Sequence, residues 1–154
     1  MEPVSRADFA AEIHDHVSAR LAHNEQRYTA GRRRLVEVLS QAGRPVTLPE
    51  ITELEPDLAP SSAYRNLDVL EQCGVVHRVA GSAEHAHFEL AEPLLDHHHH
   101  LICIDCGAIS DIQLDDELEA LVDKHLASAA RAVGFEPLRH SLDLHGRCAR
   151  CSGR

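Results

Sequence analysis

Five cysteines and thirteen histidines stand in a chain of 154 residues without a single tryptophan, and most of them fall into patterns with metal-ligand spacing. Cys103-Ile-Asp-Cys106 and Cys148-Ala-Arg-Cys151 present four thiolates in two tight knuckles, the first followed by Gly107. Four sulfurs suit tetrahedral zinc at about 2.3 Å per bond and leave no position open for water, so such a site is structural and its binding energy is folding energy. A disulfide pair and a redox Cys-x-x-Cys are the competing readings, and the two matched pairs favour zinc. Cys73, alone beside Gly74, reads as an ordinary buried thiol.

His97-His98-His99-His100 runs directly into an apolar stretch. On an extended chain, alternation sends His98 and His100 to one face and His97 and His99 to the other, so one tetrad serves two sites. A wing hairpin turning about Ala83 sets His77 opposite Glu89 and Val79 opposite His87. His77 and Glu89 are then placed to join His98 and His100 in a His/carboxylate site at the hinge, with His85 and His87 in reserve. Glu119 and His140 are the candidates to join His97 and His99 in an additional site. A solvated polar run is the bland alternative.

Between Arg27 and Arg34 the chain holds Arg27, Arg32, Arg33 and Arg34 with no acid, a local positive edge able to neutralise phosphates. Ser62, at the start of a helix, and Tyr64 and Arg65 after it are suited to phosphate, a thymine methyl and guanine. Asn66 reads as a structural polar residue.

These side chains need elements to place them. Phe9, Ile13, Val17 and Leu21 recur every four residues, which predicts a helix over 8–24. Further helices are expected over 29–41, with Thr29 as N-cap and Gly43 beyond its end, over 48–54, stopped by Pro56, and over 62–72, ended by Gly74. A hairpin of 75–79 and 86–90, turning around Gly81-Ser82, completes the order of a winged helix-turn-helix. Residues 91–96 read as a hinge. Strands over 101–104 and 108–114 flank the first cysteine knuckle, a helix covers 115–133, and 140–145 forms a last strand. The fold class is therefore α+β, with a winged helix-turn-helix over 1–92 and a metal-binding domain of small antiparallel sheet and helices over 97–154.

The net charge is −10 with 44% hydrophobic residues, which argues against DNA at face value and rules out disorder. No stretch reaches the roughly 20 apolar residues of a membrane span, and the start of the chain lacks a secretory pattern. The expectation is a cytoplasmic protein with no membrane partner, where paired cysteines bind metal more often than they form disulfides.

Taken together, the residues resemble the ferric uptake regulator family of bacterial metal-dependent repressors, in particular its zinc-uptake-regulating branch, over about Gln26 to Cys151. The resemblance is carried by Arg27-Tyr-Thr-Ala-Gly-Arg32, Ser62-Ala-Tyr-Arg-Asn-Leu, Phe88-Glu-Leu, HHHHLICIDCG from His97 to Gly107 and HSLDLHGRCARC from His140 to Cys151. It implies a DNA-binding domain over 1–92 and a dimerisation and metal-binding domain over 97–154, and hence a homodimer on palindromic double-stranded operator DNA, with structural zinc on the four cysteines. It also implies a regulatory site using Glu89, His98 and His100, with His77 where zinc sensors carry an aspartate, and an additional site of His97, His99, Glu119 and His140. Arg27 falls on the family's minor-groove contact, and Tyr64 and Arg65 on its major-groove readers. Iron- and peroxide-sensing members take a histidine ahead of the third helix, where this chain has Arg44-Pro45-Val46-Thr47, and the cysteine of some zinc sensors falls near Ala91.

The expected function is repression of metal-homeostasis genes when the regulatory site is loaded, zinc uptake first, with zinc the first metal and Fe(II) or Ni(II) the alternatives. An iron, nickel or peroxide sensor of the same family and a zinc buffer without DNA binding are the other readings. An enzyme is not expected: there is no His-Glu-x-x-His helix, nucleophile elbow or phosphate loop.

Overall fold

The computed structural model describes residues 6–79 and 86–153, and the expected wing turn at Gly81-Ser82 and the reserve ligand His85 lie outside them. The chain folds as two compact units, Met1–Asp96 and His97–Arg154.

In the first unit, α1 (Arg6–His23), α2 (Ala30–Ala42), β1 (Val46–Thr47), α3 (Leu48–Leu54), α4 (Pro60–Gln72), β2 (Val76–Val79) and β3 (His87–Leu90) follow in order, and a 3-10 turn (Glu92–Leu94) comes after them. The caps of α2 are those the sequence predicts. Thr29 Oγ1 accepts from Arg32 N at its start, and Gly43 ends it in the left-handed region at φ 61°. Thr47 and Glu50 form a reciprocal capping box on α3, which satisfies two backbone donors that a helix start leaves without partners. The apolar stripes of these helices converge: Ile13, Val17 and Leu21 pack with Leu35, Val36 and Leu39, and with Ile51, Leu67 and Leu70. A three-stranded sheet of order β1-β3-β2 closes the unit, with Val76, Phe88 and Leu90 in the same core. Strand β1, only two residues long, pairs Val46 with Phe88 and Thr47 with His87; two residues are too few for an alternation signal, and the sequence reading has no strand there.

The second unit holds β4 (His99–Cys103), β5 (Ile109–Ile112), α5 (Asp116–Ala132), β6 (Asp143–Gly146) and α6 (Ala149–Ser152). The sheet order is β5-β4-β6, with β5 antiparallel and β6 parallel to β4, so the sheet is mixed where a purely antiparallel one was expected. Strand β6 runs opposite to β5 but lies on the other side of β4, so it is parallel to β4 itself. Strand β4 starts two residues earlier than the expected Leu101, because His99 and His100 pair with Ile112 and Asp111. The last strand is shorter than expected and is followed by the short helix α6, which the two closing cysteines flank and enter. Asp115 caps α5 by accepting from Leu118 N. No residue of α5 is buried within the chain: Leu118, Leu121 and Leu126 remain 42%, 50% and 42% exposed along one stripe.

Among the described residues, no helix is long and apolar enough to cross a membrane.

Candidate metal centres and nucleic-acid interface

The cysteine knuckles are built by the ends of β4 and β6. Cys103 closes β4, Gly107 turns the chain in the left-handed region at φ 71°, and Gly107 N donates to Cys103 O. Register pairs Cys103 with Gly146, which brings Cys148 back beside it. All four sulfurs lie within 4.8 Å of one another, and Cys106 Sγ is 3.8 Å from Cys148 Sγ. Two sulfurs each about 2.3 Å from a tetrahedral zinc stand about 3.8 Å apart, whereas a disulfide requires about 2.05 Å. The four thiols are unbridged, and the donor set fits zinc. Backbone N–H groups of Cys148 and Cys106 aimed at Cys103 pull its thiol down to about 6, and the N–H of Cys151 lowers Cys148. Cys151, hydrogen-bonded to the sulfurs of Cys148 and Cys106, is pushed up to about 12, so without an ion the cluster keeps a proton that zinc would displace.

On one face of the chain entering β4, His97 and His99 meet Glu119 from α5 and His140 from the segment before β6. Their ligand atoms lie within 4.8 Å of one another. Glu119 Oε1 is 3.0 Å from His97 Nε2 and 2.9 Å from His140 Nε2, and Oε2 is 3.1 Å from His99 Nε2. His140 Nδ1 is bonded to Asp123 Oδ1 at 2.8 Å, the kind of outer contact that fixes a ligating ring. Burial opposes ionisation of Glu119, but the hydrogen bond from His99 and the charges of His97, His99 and His140 prevail and hold the carboxyl below its usual range. Glu119 Oε1 and His140 Nε2 are buried and make no aligned hydrogen bond despite their closeness. Orphaned polar atoms that converge in this way are what an ion would satisfy.

The opposite face carries His98 and His100, both buried, with ring centroids 5.1 Å apart. Asp111, opposite His100 on β5, brings its carboxylate to within 4.8 Å of their ligand atoms. His100 Nδ1 meets Asp143 Oδ1 at 3.1 Å from β6. Asp111 is a residue that sequence reading passes over. Counting outward from the Cys-x-x-Cys-Gly turn places it opposite His100, and that count is the available signal.

In the first unit, the hairpin register is the one expected, His77 opposite Glu89 and Val79 opposite His87. The two partners nevertheless differ: Glu89 sits on the central strand β3 and is buried, whereas His77 is on the edge strand β2 and is exposed. His77 joins no ligand cluster among the described residues. Register alone does not fix which of two facing residues is covered: Val79, two residues on along the same edge strand, is buried.

Helix α4, the expected recognition helix, presents Tyr64, 47% exposed, and Arg65, also exposed, with Ser62 half-buried in its first turn. Arg65 Nε donates to Ser61 O at 3.3 Å. Arg27 is exposed ahead of α2. The rest of the basic run is engaged within the protein: Arg32 bonds Asn66 and the Arg27 carbonyl, Arg33 lies 4.7 Å over the Tyr28 ring, and Arg34 pairs with Glu55 at 3.6 Å. Arg78 of β2 reaches Asp68 and Glu71 of α4 and covers Phe88, tying wing to recognition helix through contacts no spacing rule announces.

A family model of the ferric uptake regulator family matches residues 23–145, ending just before the second cysteine pair. The ferric uptake regulation protein of Bacillus subtilis is 29% identical over 107 residues, covering 68% of this chain and 67% of that protein. That of Synechococcus elongatus is 33% identical over 91 residues, covering 59% and 58%. The chain thus aligns with about three-fifths to two-thirds of the length of these relatives. Among solved structures, the Helicobacter pylori ferric uptake regulator shares the fold, with a TM-score of 0.72 at 22% identity, over 99% of this chain and 97% of that one. A match that takes in well over half of the chain, from the last residue of α1 through recognition helix and histidine tetrad to His145, makes it a member of the ferric uptake regulator family, whose proteins are metal-responsive transcription regulators and not enzymes.

Proposed function

We propose that the chain is a cytoplasmic repressor of metal-homeostasis genes that binds palindromic operator DNA as a homodimer when its regulatory site is loaded. The observation that carries this reading is the buried pair His98 and His100 with Asp111, at the very start of the second unit. The resemblance to the family implies Glu89 of the wing as a further carboxylate ligand. The ion, when bound, contributes its charge and a fixed coordination geometry. The residues do the rest: Asp143, at 3.1 Å from His100 Nδ1, orients that ring. Loading tightens DNA binding only by its differential affinity for the DNA-competent arrangement; about 3 kcal/mol of such coupling gives roughly 150-fold.

The four cysteines hold structural zinc, and His97, His99, Glu119 and His140 hold a second ion. That count is in keeping with the Helicobacter pylori regulator, whose structure reveals three functional metal binding sites. The homodimer is supported by α5, whose leucine stripe has no cover within the chain.

For the regulatory ion, zinc and control of zinc uptake is the first reading, since nothing in the site calls for redox chemistry. One observation favours a second, Fe(II): Asp111 stands in the cluster where His77 was expected, which makes the donor set richer in oxygen and poorer in imidazole. Affinity order alone does not choose between these ions for an N/O site.

The test is binding of duplex DNA, selected from a random pool by the metal-loaded protein, titrated with buffered Zn, Fe(II), Mn and Ni alongside elemental analysis. Binding at zinc levels where Fe(II) is inert supports the zinc reading, and the reverse overturns it. Tyr64→Ala with Arg65→Ala should abolish DNA binding at unchanged metal content. Retained binding would displace α4 as the reader, and a loaded wild type that selects no duplex would make the chain a metal buffer.

A further inference from the structure

The guanidinium of Arg32 is spent inside the protein. Its Nε donates to Asn66 Oδ1 at 3.2 Å and its Nη1 to the carbonyl of Arg27 at 2.6 Å, so one planar fork joins the recognition helix to the backbone five residues upstream. The approach is close. A Cβ built on the neighbouring Gly31 would lie 3.4 Å from Asn66 Nδ2, so α2 meets α4 across a glycine. The segment carrying Arg27 is otherwise short of regular structure: it follows α1 through a turn in which Glu25 takes φ 56°, a left-handed conformation uncommon for a side chain of this kind, and precedes α2.

We propose that Arg32 and Asn66 are positioning residues that set the register between the Arg27 arm and the Tyr64-Arg65 face of α4, and that Arg32 is not a phosphate contact. The inference rests on the DNA-binding reading above. Arg27 reaches DNA from a long side chain, and its charge counts fully only if its backbone is already placed when Tyr64 and Arg65 seat. An arginine fork does this because two of its donors diverge at a fixed angle; a lysine has the charge without the fork. Asn66 is uncharged, so any electrostatic effect of removing it must travel through Arg32 to Arg27.

That last property supplies the test. Binding of the selected duplex by metal-loaded full-length protein is measured across a salt series for wild type, Asn66→Ala, Arg32→Lys, Arg27→Ala and the Asn66→Ala/Arg27→Ala pair, with melting temperatures as a folding check. Each contact to the DNA polyanion contributes about 0.9 to the slope of log K against log salt. We expect Asn66→Ala to lower the slope by about one contact and the affinity about tenfold. Arg32→Lys should do the same although it retains the charge, and the pair should be no weaker than Arg27→Ala alone. An unchanged slope in Asn66→Ala, or wild-type affinity in Arg32→Lys, would overturn the proposal; should Asn66→Ala fail to fold, Arg32→Lys decides it alone. Wild-type protein that binds no duplex under any metal would instead overturn the function on which it rests.

Discussion

If the leucine stripe of α5 is the dimer face, a charge placed in its middle should dissociate the protein by an amount the structure allows one to work out. Leu121 is 50% exposed in the single chain. Full burial of a leucine is worth about 1.5–3 kcal/mol, so covering the exposed half gains about 1 kcal/mol. A two-fold interface uses the same patch on both subunits, which doubles every term. Leu121→Ala should therefore cost about 2 kcal/mol of dimerisation, close to 30-fold in Kd. Leu121→Asp adds the burial of an unpaired carboxylate, at least about 1 kcal/mol more per copy, for a total near 4 kcal/mol and about a thousandfold. Sedimentation velocity from nanomolar to micromolar protein reads both numbers, with Leu54→Asp, on the exposed end of α3 in the other unit, as the control expected to stay dimeric. A Leu121→Asp protein that remains a dimer with wild-type Kd would refute the assignment of α5 as the interface, and with it the reason offered for a 17-residue helix that buries none of its leucines.

Three further outcomes are expected. Cys103→Ser should lose the tightly held zinc from elemental analysis and unfold the second unit, because structural zinc sites contribute about 10–16 kcal/mol of binding energy to folding; a folded variant with full zinc content would contradict the four-cysteine site. His98→Ala should give a folded dimer whose DNA binding no longer responds to metal, while His77→Ala, at an exposed edge position, should respond like wild type in the same gel-shift titration. Glu50→Gln should lower the melting temperature of the first unit by weakening the capping box, about 1 kcal/mol. Burial opposes the charge of Glu50, but the Thr47 N–H, its hydroxyl and Arg44 outweigh it and hold the carboxyl below its ordinary 4.5. A lowered pKa means the contribution is whole above that ordinary value and is lost as pH falls through the depressed folded one. The gap between wild type and Glu50→Gln should therefore be constant near neutrality and close in acid, and a gap that widens on acidification would count against the assignment.

The positions legible in the sequence are those governed by local rules. Thr29, Gly43 and Gly74 punctuate helices through contacts within a few residues, so the helix boundaries of the first unit follow from spacing. The histidine tetrad is legible for the same reason: period two along an extended strand separates His97 and His99 from His98 and His100 whatever surrounds them. Asp111, Asp143 and Asp123 are less so, since each acquires its role from strand pairing or from the return of a distant segment. His77 shows the limit most clearly. Its register opposite Glu89 is deducible and is observed, yet register does not say what packs over each position, and of the two same-face residues of β2, Val79 is buried while His77 is exposed. The arginines make the same point with charge. The count from Arg27 to Arg34 is readable from the chain, but the groups that consume Arg32, Arg33 and Arg34 are Asn66 on another helix, the Tyr28 ring and Glu55.

Those consumed arginines change how metal can control DNA binding. By composition, the chain carries −10, and bound divalent ions offset part of it, which invites an electrostatic switch: load the ions and the repulsion from DNA falls. The structure leaves that mechanism little to work with. Arg34 of the basic edge is paired with Glu55, and beyond that edge Arg44 is paired with Glu50 and Arg78 with Asp68 and Glu71, so these cations attract a polyanion less than their number suggests. Charges on the second unit act on DNA only within about 8 Å at physiological ionic strength before screening removes them. An ion farther than that from the DNA would contribute mainly through the arrangement of Tyr64, Arg65 and Arg27. On that argument the ratio of loaded to metal-free affinity should hold nearly constant as salt is raised, even while both affinities fall steeply, because a metal-free dimer that does bind makes the same contacts and differs only in how rarely it holds the DNA-competent arrangement.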